Sequence, residues 1–178
     1  MAGMLCRTLL LLCALAASAM AQNAVATSLK TLNEETHRNL GEALSKVPES
    51  MLDFRPVEGV MSFREIAGHL VNTDNRLCSL VKGEQPPDAR DYQKEKVSLA
   101  ELSAAWQKSG EYCSALLGSM TEADLAGVIK MGQREMSKAS LVTRLVQHQG
   151  LHYGNLITYM RMKGIVPPET ERSQQQRR

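Results

Sequence analysis

Three of the four histidines in this 178-residue chain have a type and spacing that suit a metal centre. His148 and His152 are four residues apart, so on a helix they lie about 40° apart around the axis and about 6 Å apart along it. Both imidazoles can then reach one ion, and imidazole nitrogen is a preferred ligand of zinc. The residues between them are Gln149, Gly150 and Leu151, so the glutamate base of the helical zinc-protease motif is absent and that chemistry is excluded.

A histidine pair at this spacing is weak evidence alone, because hydrogen-bonded core histidines give the same pattern. His69 strengthens the case, since it lies midway along another predicted helix and beside its apolar stripe. Three neutral imidazoles leave a coordination position open, whereas structural zinc sites are usually closed by four ligands. We therefore predict a catalytic type of site in which His69, His148 and His152 hold a divalent ion, zinc or nickel. Such an ion lowers the pKa of bound water from 15.7 towards about 7.

Five polar residues share helix faces with these histidines and are predicted to line a pocket: Asn72, Thr73, Arg76, Asn155 and Tyr159. Arg76 would pair with an anionic group of a substrate, although ordinary surface or interhelical contacts explain the same spacing. Asp74 lies about 140° around the helix from His69, so no general base is evident and the catalytic residues stay unidentified. The fourth histidine, His37, lies one residue off an apolar stripe and is predicted to be a surface residue.

These side chains must be positioned by helices, because apolar residues recur with a period near 3.6 and alternating strand patterns are absent. The pattern predicts four long helices, over residues 24–47, 62–82, 98–118 and 138–163, with one short extra turn at 121–125. Capping boxes at Ser62–Glu65 and Ser98–Glu101 mark two of the starts. The polar connection 82–97 is long, so the second and third helices need not be adjacent antiparallel partners. Residues 169–178 have no apolar side chain and are predicted to be a disordered tail.

The first 21 residues have the layout of a secretory signal peptide: one positive charge, an apolar run and a small-residue cleavage site at 19–21. The apolar run is too short to span a bilayer comfortably. An uncleaved signal anchor is the alternative. After cleavage Cys78 and Cys113 remain in a compartment where disulfides form, and the sequence leaves open whether they pair or Cys113 is only a small buried side chain. We expect an exported protein, periplasmic or secreted, that is not inserted in a membrane after cleavage.

Composition narrows the classes of partner. Hydrophobic residues make up 43% and charged residues 22%, which is ordinary for a globular protein and argues against wholesale disorder. The formal net charge is only +2, from 21 Lys and Arg against 19 Asp and Glu. So small a surplus gives no footprint of a nucleic-acid-binding surface. We expect a small-molecule substrate, whose identity the sequence does not give.

Three segments carry a family resemblance when they are taken together and in order. They read SFREIAGHL at 62–70, HQGLHYGN at 148–155 and YMRMKGIVPP at 159–168. They resemble the DinB-like family, in which a single histidine on the second helix precedes a paired-histidine motif and a diproline exit on the last helix. The family often has Arg-Gly-Gln after the second paired histidine, where this chain has Tyr-Gly-Asn at 153–155.

The resemblance implies an all-α four-helix bundle over residues 24–168 whose long middle connection allows a parallel helix pair. It also implies a divalent metal held by His69, His148 and His152, and it is consistent with homodimers formed through a bundle face. Related proteins include thiol-dependent transferases and isomerases, although small thiols are mainly cytosolic. The leading hypothesis is a metal-dependent hydrolase or group transferase that uses metal-activated water or thiol. The alternatives are a non-catalytic module that binds a metal or small ligand, and a helical interaction protein whose site is degenerate.

Overall fold

Four long helices form the bundle that the sequence predicts. The computed structural model describes residues 23–178, so the predicted signal peptide at 1–21 lies outside the described residues. The long helices are α1 (Ala24–Lys46), α2 (Phe63–Lys82), α3 (Leu99–Ser119) and α5 (Lys138–Met162). The shorter elements are a 3₁₀ turn (Glu49–Met51), α4 (Glu122–Ala126), β1 (Val128–Met131), β2 (Arg134–Ser137) and α6 (Pro168–Gln176). No helix within residues 23–178 is long and apolar enough to cross a membrane.

The capping boxes form at both predicted positions. At the start of α2, the Glu65 backbone N–H donates to Ser62 Oγ, and the Ser62 backbone N–H donates to the Glu65 carboxylate at 2.6 Å. Ser98 and Glu101 make the same reciprocal bonds at the start of α3. Each box satisfies N–H groups that the first turn of a helix leaves unpaired, which fixes where the helix begins.

The connection between α2 and α3 is long because these two helices run in parallel. Near their starts, the Arg64 guanidinium donates to the Val97 carbonyl, and near their ends Cys78 and Cys113 form a disulfide. The chain must therefore return along the whole of α2, about 30 Å, before α3 begins. The parallel helices α2 and α3 are neighbours in the bundle. Both α1 and α2 contact α3 and α5, so α1 and α2 occupy diagonally opposite corners.

A buried polar layer separates the two apolar clusters of the core. Asn33, Asp74 and Gln149 are all 0% exposed. Gln149 Nε2 lies 3.1 Å from Asn33 Oδ1 and from both carboxylate oxygens of Asp74, so one amide group bridges α1, α2 and α5. Burial raises the pKa of Asp74 to about 7, partly offset by this hydrogen bond. Because a slipped helix would leave these groups unpaired, the layer favours one register of the bundle.

The prediction of a disordered tail was wrong. Pro168–Gln176 forms α6, with Pro168 at the start of the helix, where a missing N–H costs nothing. Two ion pairs hold α6 against α1: the Lys46 ammonium lies 2.6 Å from the Glu171 carboxylate, and Arg172 pairs with Glu42. A search for apolar residues overlooks such a helix, since charged side chains make its contacts.

The sequence interpretation also missed a two-stranded hairpin between α4 and α5. Strands β1 and β2 pair antiparallel, with Met131 opposite Arg134, so only two residues form the turn. Gly132 is the first of them and has a φ of 64°. A glycine at this position is typical of tight hairpin turns, and it was the signal available in the sequence.

Candidate metal centre

The three predicted histidines meet on the facing sides of α2 and α5. Each offers a ring nitrogen within 4.8 Å of the others. The Nε2 atoms of His69 and His148 are 3.0 Å apart, and the ring of His152 lies 4.5 Å from that of His148 between centroids. His152 is 9% exposed, and the other two rings are partly buried. Helices α2 and α5 therefore bring the three imidazoles together at one point.

The connection between α2 and α3 supplies a residue to this centre that the sequence interpretation missed. Gln93 Oε1 accepts a hydrogen bond from His69 Nδ1 at 3.0 Å. With its proton on Nδ1, His69 presents the lone pair of Nε2 towards His148 and His152. Gln93 lies in an aperiodic polar segment, 24 residues from its partner, so no sequence pattern pointed to it.

Two residues on α2 hold the connection, called the crossover strap (residues 88–95), against the helix. A Cβ on Gly68 would lie 2.1 Å from the Tyr92 carbonyl oxygen and 2.7 Å from the Gln93 nitrogen, so the strap backbone fits only against a glycine. Asn72 Nδ2 donates to Asp91 at 2.8 Å, and Asn72 Oδ1 accepts from the Tyr92 N–H at 3.1 Å. Asn72, predicted to line the pocket, instead anchors the segment that orients His69.

The other predicted pocket residues have different environments. Tyr159 is 6% exposed, and its hydroxyl donates to the Met61 carbonyl at 3.0 Å, so it fastens the loop before α2. Thr73 is 5% exposed, and it lies within the bundle. Arg76 and Asn155 are exposed, and neither forms an ion pair or a side-chain hydrogen bond within residues 23–178. Only these two have polar groups free to meet a ligand from solvent.

The surroundings of His148 and His152 favour their uncharged forms at neutral pH. Burial, together with smaller effects of the nearby His152, His69, Arg144 and Arg76, lowers the pKa of His148 to about 4. Burial also lowers the pKa of His152, with a smaller effect from His69. A neutral imidazole keeps the lone pair that a metal ion needs, so the site is prepared for a cation without releasing protons from these two rings.

The residues present fit a divalent ion. Nitrogen ligands of a tetrahedral zinc lie about 3.3 Å from one another, close to the 3.0 Å between the two Nε2 atoms. The buried Nδ1 atoms of His148 and His152 have no hydrogen-bond partner among residues 23–178. Within the same residues, no fourth Cys, Asp, Glu or His joins the three ligands, so a position stays open for solvent or substrate.

An open groove of about 880 Å³ adjoins the centre along the first half of α5. Its wall includes Arg144, His148 and Leu151, and the Leu151 side chain is 64% exposed. Leu151 was noted in the sequence only as a residue between the paired histidines, and Arg144 was not singled out. Both lie within one turn of His148, which is the signal that would have found them.

His37 is not the surface residue that the sequence interpretation expected. Its ring stacks on Trp106 with centroids 4.0 Å apart, and its Nε2 donates to the Trp106 carbonyl at 2.8 Å. The Trp106 indole N–H in turn donates to the His37 carbonyl at 3.0 Å. These contacts join α1 to α3, away from the metal centre. Burial lowers the pKa of His37 to about 4, opposed by the bond to Trp106 and by Glu111.

The two cysteines that the sequence left open are joined. Cys78 and Cys113 form a disulfide between α2 and α3, with Cα atoms 5.5 Å apart and both side chains almost fully buried. Neither is among the candidate metal ligands.

Comparisons with known proteins show the family of this chain and its fold. Residues 32–156 match the DinB superfamily. The uncharacterized protein YjoA of Bacillus subtilis is 25% identical over 134 residues, covering 72% of this chain and 85% of YjoA.

Solved structures share the fold. The crystal structure of the DinB-like YjoA has a TM-score of 0.63 and 22% identity, covering 77% of this chain and 92% of its own. The structure of a DinB-like protein of Bacillus cereus ATCC 10987 has a TM-score of 0.66 and 20% identity, and the match covers 78% of this chain and 90% of that protein. YfiT of Bacillus subtilis is described as a probable metal-dependent hydrolase with an unusual four-helix bundle topology. Its structure has a TM-score of 0.64 and 18% identity, and the match covers 79% of this chain and 88% of YfiT. Since the superfamily match covers most of the bundle and the resemblance in the three motifs agrees with it, this chain belongs to the DinB superfamily.

Proposed function

We propose that this chain is an exported metal-dependent enzyme that hydrolyses a small organic substrate or transfers a group to or from it. The observation that carries the proposal is the convergence of His69, His148 and His152, whose ligand nitrogens lie within 4.8 Å of one another. A divalent ion at this centre would supply a Lewis acid and a nucleophile, water or thiol, activated near neutral pH. The chain itself supplies neutral imidazoles, an open position and an adjoining groove.

The likeness to YfiT supports a hydrolytic activity, because that protein of the same fold is described as a probable metal-dependent hydrolase. Zinc and nickel are the ions that we propose for the site, since imidazole suits both. Neither the ion nor the substrate follows from the donor set alone, so metal content is the measurement to make before any activity screen.

The test is metal analysis of protein purified without chelators or a polyhistidine tag, followed by reconstitution with zinc and with nickel. We expect about one ion per chain in the wild type. His148→Ala and His152→Ala should each lose bound metal, whereas His37→Gln should retain it, since His37 lies elsewhere in the bundle. Undiminished metal in either of the two site variants would show that the assigned ligands are wrong.

A non-catalytic module that binds a metal or small ligand is the second candidate, and one observation favours it. Within residues 23–178, no carboxylate is hydrogen-bonded to any of the three histidines; His69 is oriented by an amide, Gln93. No Asp or Glu of these residues joins the three ligand atoms either, so the centre shows no evident general base. Metal-loaded protein tested against esters, amides, phosphoesters and thiol adducts decides between the two: turnover that His148→Ala abolishes supports the enzyme, and stoichiometric metal without turnover supports the module.

Export is supported by the signal-like residues 1–21 together with the disulfide between Cys78 and Cys113, because structural disulfides persist in oxidising compartments. Expression of the full chain in a bacterium with a periplasm tests it. We expect the periplasmic protein to begin at Gln22 by N-terminal sequencing. Retention of the full-length chain in the cytoplasm would contradict export and leave the metal centre unaffected.

A further inference from the structure

Two arginines lie on the same side of the metal centre along the helix pair, one on α2 and one on α5. Helices α2 and α5 are antiparallel, as the contacts Met61–Tyr159 and Asp74–Gln149 at two levels of the pair require. Arg76 is seven residues after His69, and Arg144 is four residues before His148. Because the helices are antiparallel, Arg76 and Arg144 are displaced from the histidines in the same direction along the bundle, by about 10 Å and about 6 Å. Seven and four residues are close to whole numbers of helical turns, so each arginine lies on the helix face that carries the histidines.

Neither guanidinium has a counter-charge. Both side chains are exposed, and neither forms an ion pair with any acidic group of residues 23–178. By contrast, ion pairs tie Arg64 to Asp53 and Arg90 to Glu95 elsewhere on the surface. Two unpaired positive charges on the same side of the metal centre repel each other, so an anion placed between them is stabilised by both.

The groove beside Arg144 also offers apolar surface. Its volume is about 880 Å³, which exceeds the size of a small organic molecule, and it leads to His148. Leu151 exposes 64% of its side chain there, and Ala139 adds a further apolar contact. A ligand that pairs with the arginines and lies along this wall would combine an anionic group with an apolar body.

We propose that Arg76 and Arg144 form an anion subsite that binds the acidic group of a small, partly apolar organic substrate beside the metal centre. This inference deepens the proposed function and rests on it for the reaction, although binding of the anion is measurable without metal. The acidic group is a carboxylate or a phosphomonoester; both have the charge and the planar or forked acceptors that guanidinium groups recognise.

The experiment is calorimetric titration of phenylacetate, and of its neutral counterpart phenylacetamide, into the full mature protein in metal-free and zinc-loaded forms. We expect phenylacetate to bind at least 10-fold more tightly than phenylacetamide in both forms, and increasing salt to reduce the difference. Arg76→Gln and Arg144→Gln should each weaken phenylacetate binding at least 5-fold, with Arg144→Lys intermediate. Arg38→Gln on α1 is the matched control, because Arg38 is also exposed and lies outside the groove; it should bind as the wild type does.

The outcomes separate the two proposals. Equal binding of acid and amide, or wild-type binding in both glutamine variants, overturns the anion subsite while metal uptake still supports the metal centre. Arginine-dependent binding in a protein that takes up no metal keeps the anion subsite and overturns the proposed function. Loss of phenylacetate binding in Arg38→Gln as well would show a general charge effect, which also overturns the subsite.

Discussion

Gln93 of the crossover strap accepts a hydrogen bond from His69 Nδ1 at 3.0 Å, although the two residues lie 24 positions apart. The parallel arrangement of α2 and α3 makes this contact possible, because the chain must return past His69 to reach the start of α3. The topology that lengthens the connection thus also supplies the partner that orients one candidate ligand. Metal-bound histidines usually donate their second ring N–H to such a partner.

Replacing Gln93 by Ala should weaken metal binding without unfolding the protein. The lost acceptor leaves His69 free to rotate and to change its tautomer, and loss of such a partner costs about 10–100-fold in metal affinity. Competition with a chromogenic chelator measures the affinity. Gln93→Glu should restore most of it, since a carboxylate accepts the same hydrogen bond.

Gln107→Ala is the matched control for this prediction. Gln107 is an exposed glutamine of α3 that donates to Glu111 at 2.9 Å, remote from the three histidines. Its replacement should leave metal affinity unchanged. If Gln93→Ala binds metal as tightly as Gln107→Ala does, the strap has no part in orienting His69.

Replacing Gly68 by Ala should displace the crossover strap. The new methyl group would lie 2.1 Å from the Tyr92 carbonyl oxygen, which is backbone and cannot rotate away. We expect a loss of 1–3 kcal/mol in the free energy of unfolding, as for other overpacked sites, with reduced metal affinity because Gln93 moves with the strap. Urea denaturation and chelator competition measure the two effects.

Gly150→Ala is the control, since it is the same change in another helix. A Cβ on Gly150 would meet nothing within 4 Å, and the residue is exposed on α5. Alanine has the higher helix propensity, so the free energy of unfolding should rise by about 0.5–1 kcal/mol. A Gly68→Ala protein that is stabilised in the same way would show that the strap does not pack on α2 as described.

The disulfide should contribute strongly to stability. Cys78 and Cys113 are separated by 35 positions, and closing a loop of this length lowers the entropy of the unfolded chain by an amount worth about 3–4 kcal/mol. Addition of a reductant should therefore lower the urea midpoint of the wild type. A Cys78→Ala/Cys113→Ala protein should unfold at this lower midpoint with or without reductant. A wild-type midpoint that the reductant does not move, in protein shown by mass to be fully reduced, would contradict the prediction.

The parts of the structure that the sequence predicts are those governed by local periodicity. The helix bounds follow from the apolar spacing and from the capping boxes at Ser62 and Ser98, and the pairing of His148 with His152 follows from one helical turn. The approach of His69 depended on the family resemblance as well, since helical spacing does not say which helices are neighbours.

The missed features depend on long-range or polar contacts. Gln93 reaches His69 only through the path of an aperiodic segment, and α6 is anchored by the ion pairs of Glu171 and Arg172. One turn of α1 departs from apolar periodicity for a similar reason: Leu32 is 47% exposed, while Asn33 is buried by its hydrogen bond to Gln149. Polarity alone does not predict which face a residue takes when a buried partner is available.

His37 should make the protein less stable in mild acid. Burial lowers its pKa to about 4 from an ordinary 6.5, opposed in part by the bond to Trp106 and by Glu111. Between these two pH values the unfolded chain binds a proton that the folded chain excludes. The free energy of unfolding therefore decreases as the pH falls from about 6.5 to about 4, by about 3 kcal/mol in total for a shift of this size.

Urea denaturation of wild type and His37→Gln from pH 7.5 to pH 4 measures this effect. Glutamine keeps a donor near the Trp106 carbonyl but loses the ring that stacks on Trp106, so the variant should be less stable at pH 7.5. Because glutamine does not titrate in this range, the free energy of unfolding of the variant should decrease less on acidification. The metal-site histidines are the same in both proteins, so their contribution to the free energy of unfolding cancels in the difference between the two proteins. The free energy of unfolding of the wild type minus that of His37→Gln, plotted against pH, should fall only below about pH 6.5. Parallel curves would show that His37 is protonated as readily in the folded bundle as in the unfolded chain, and that its stack on Trp106 does not exclude water.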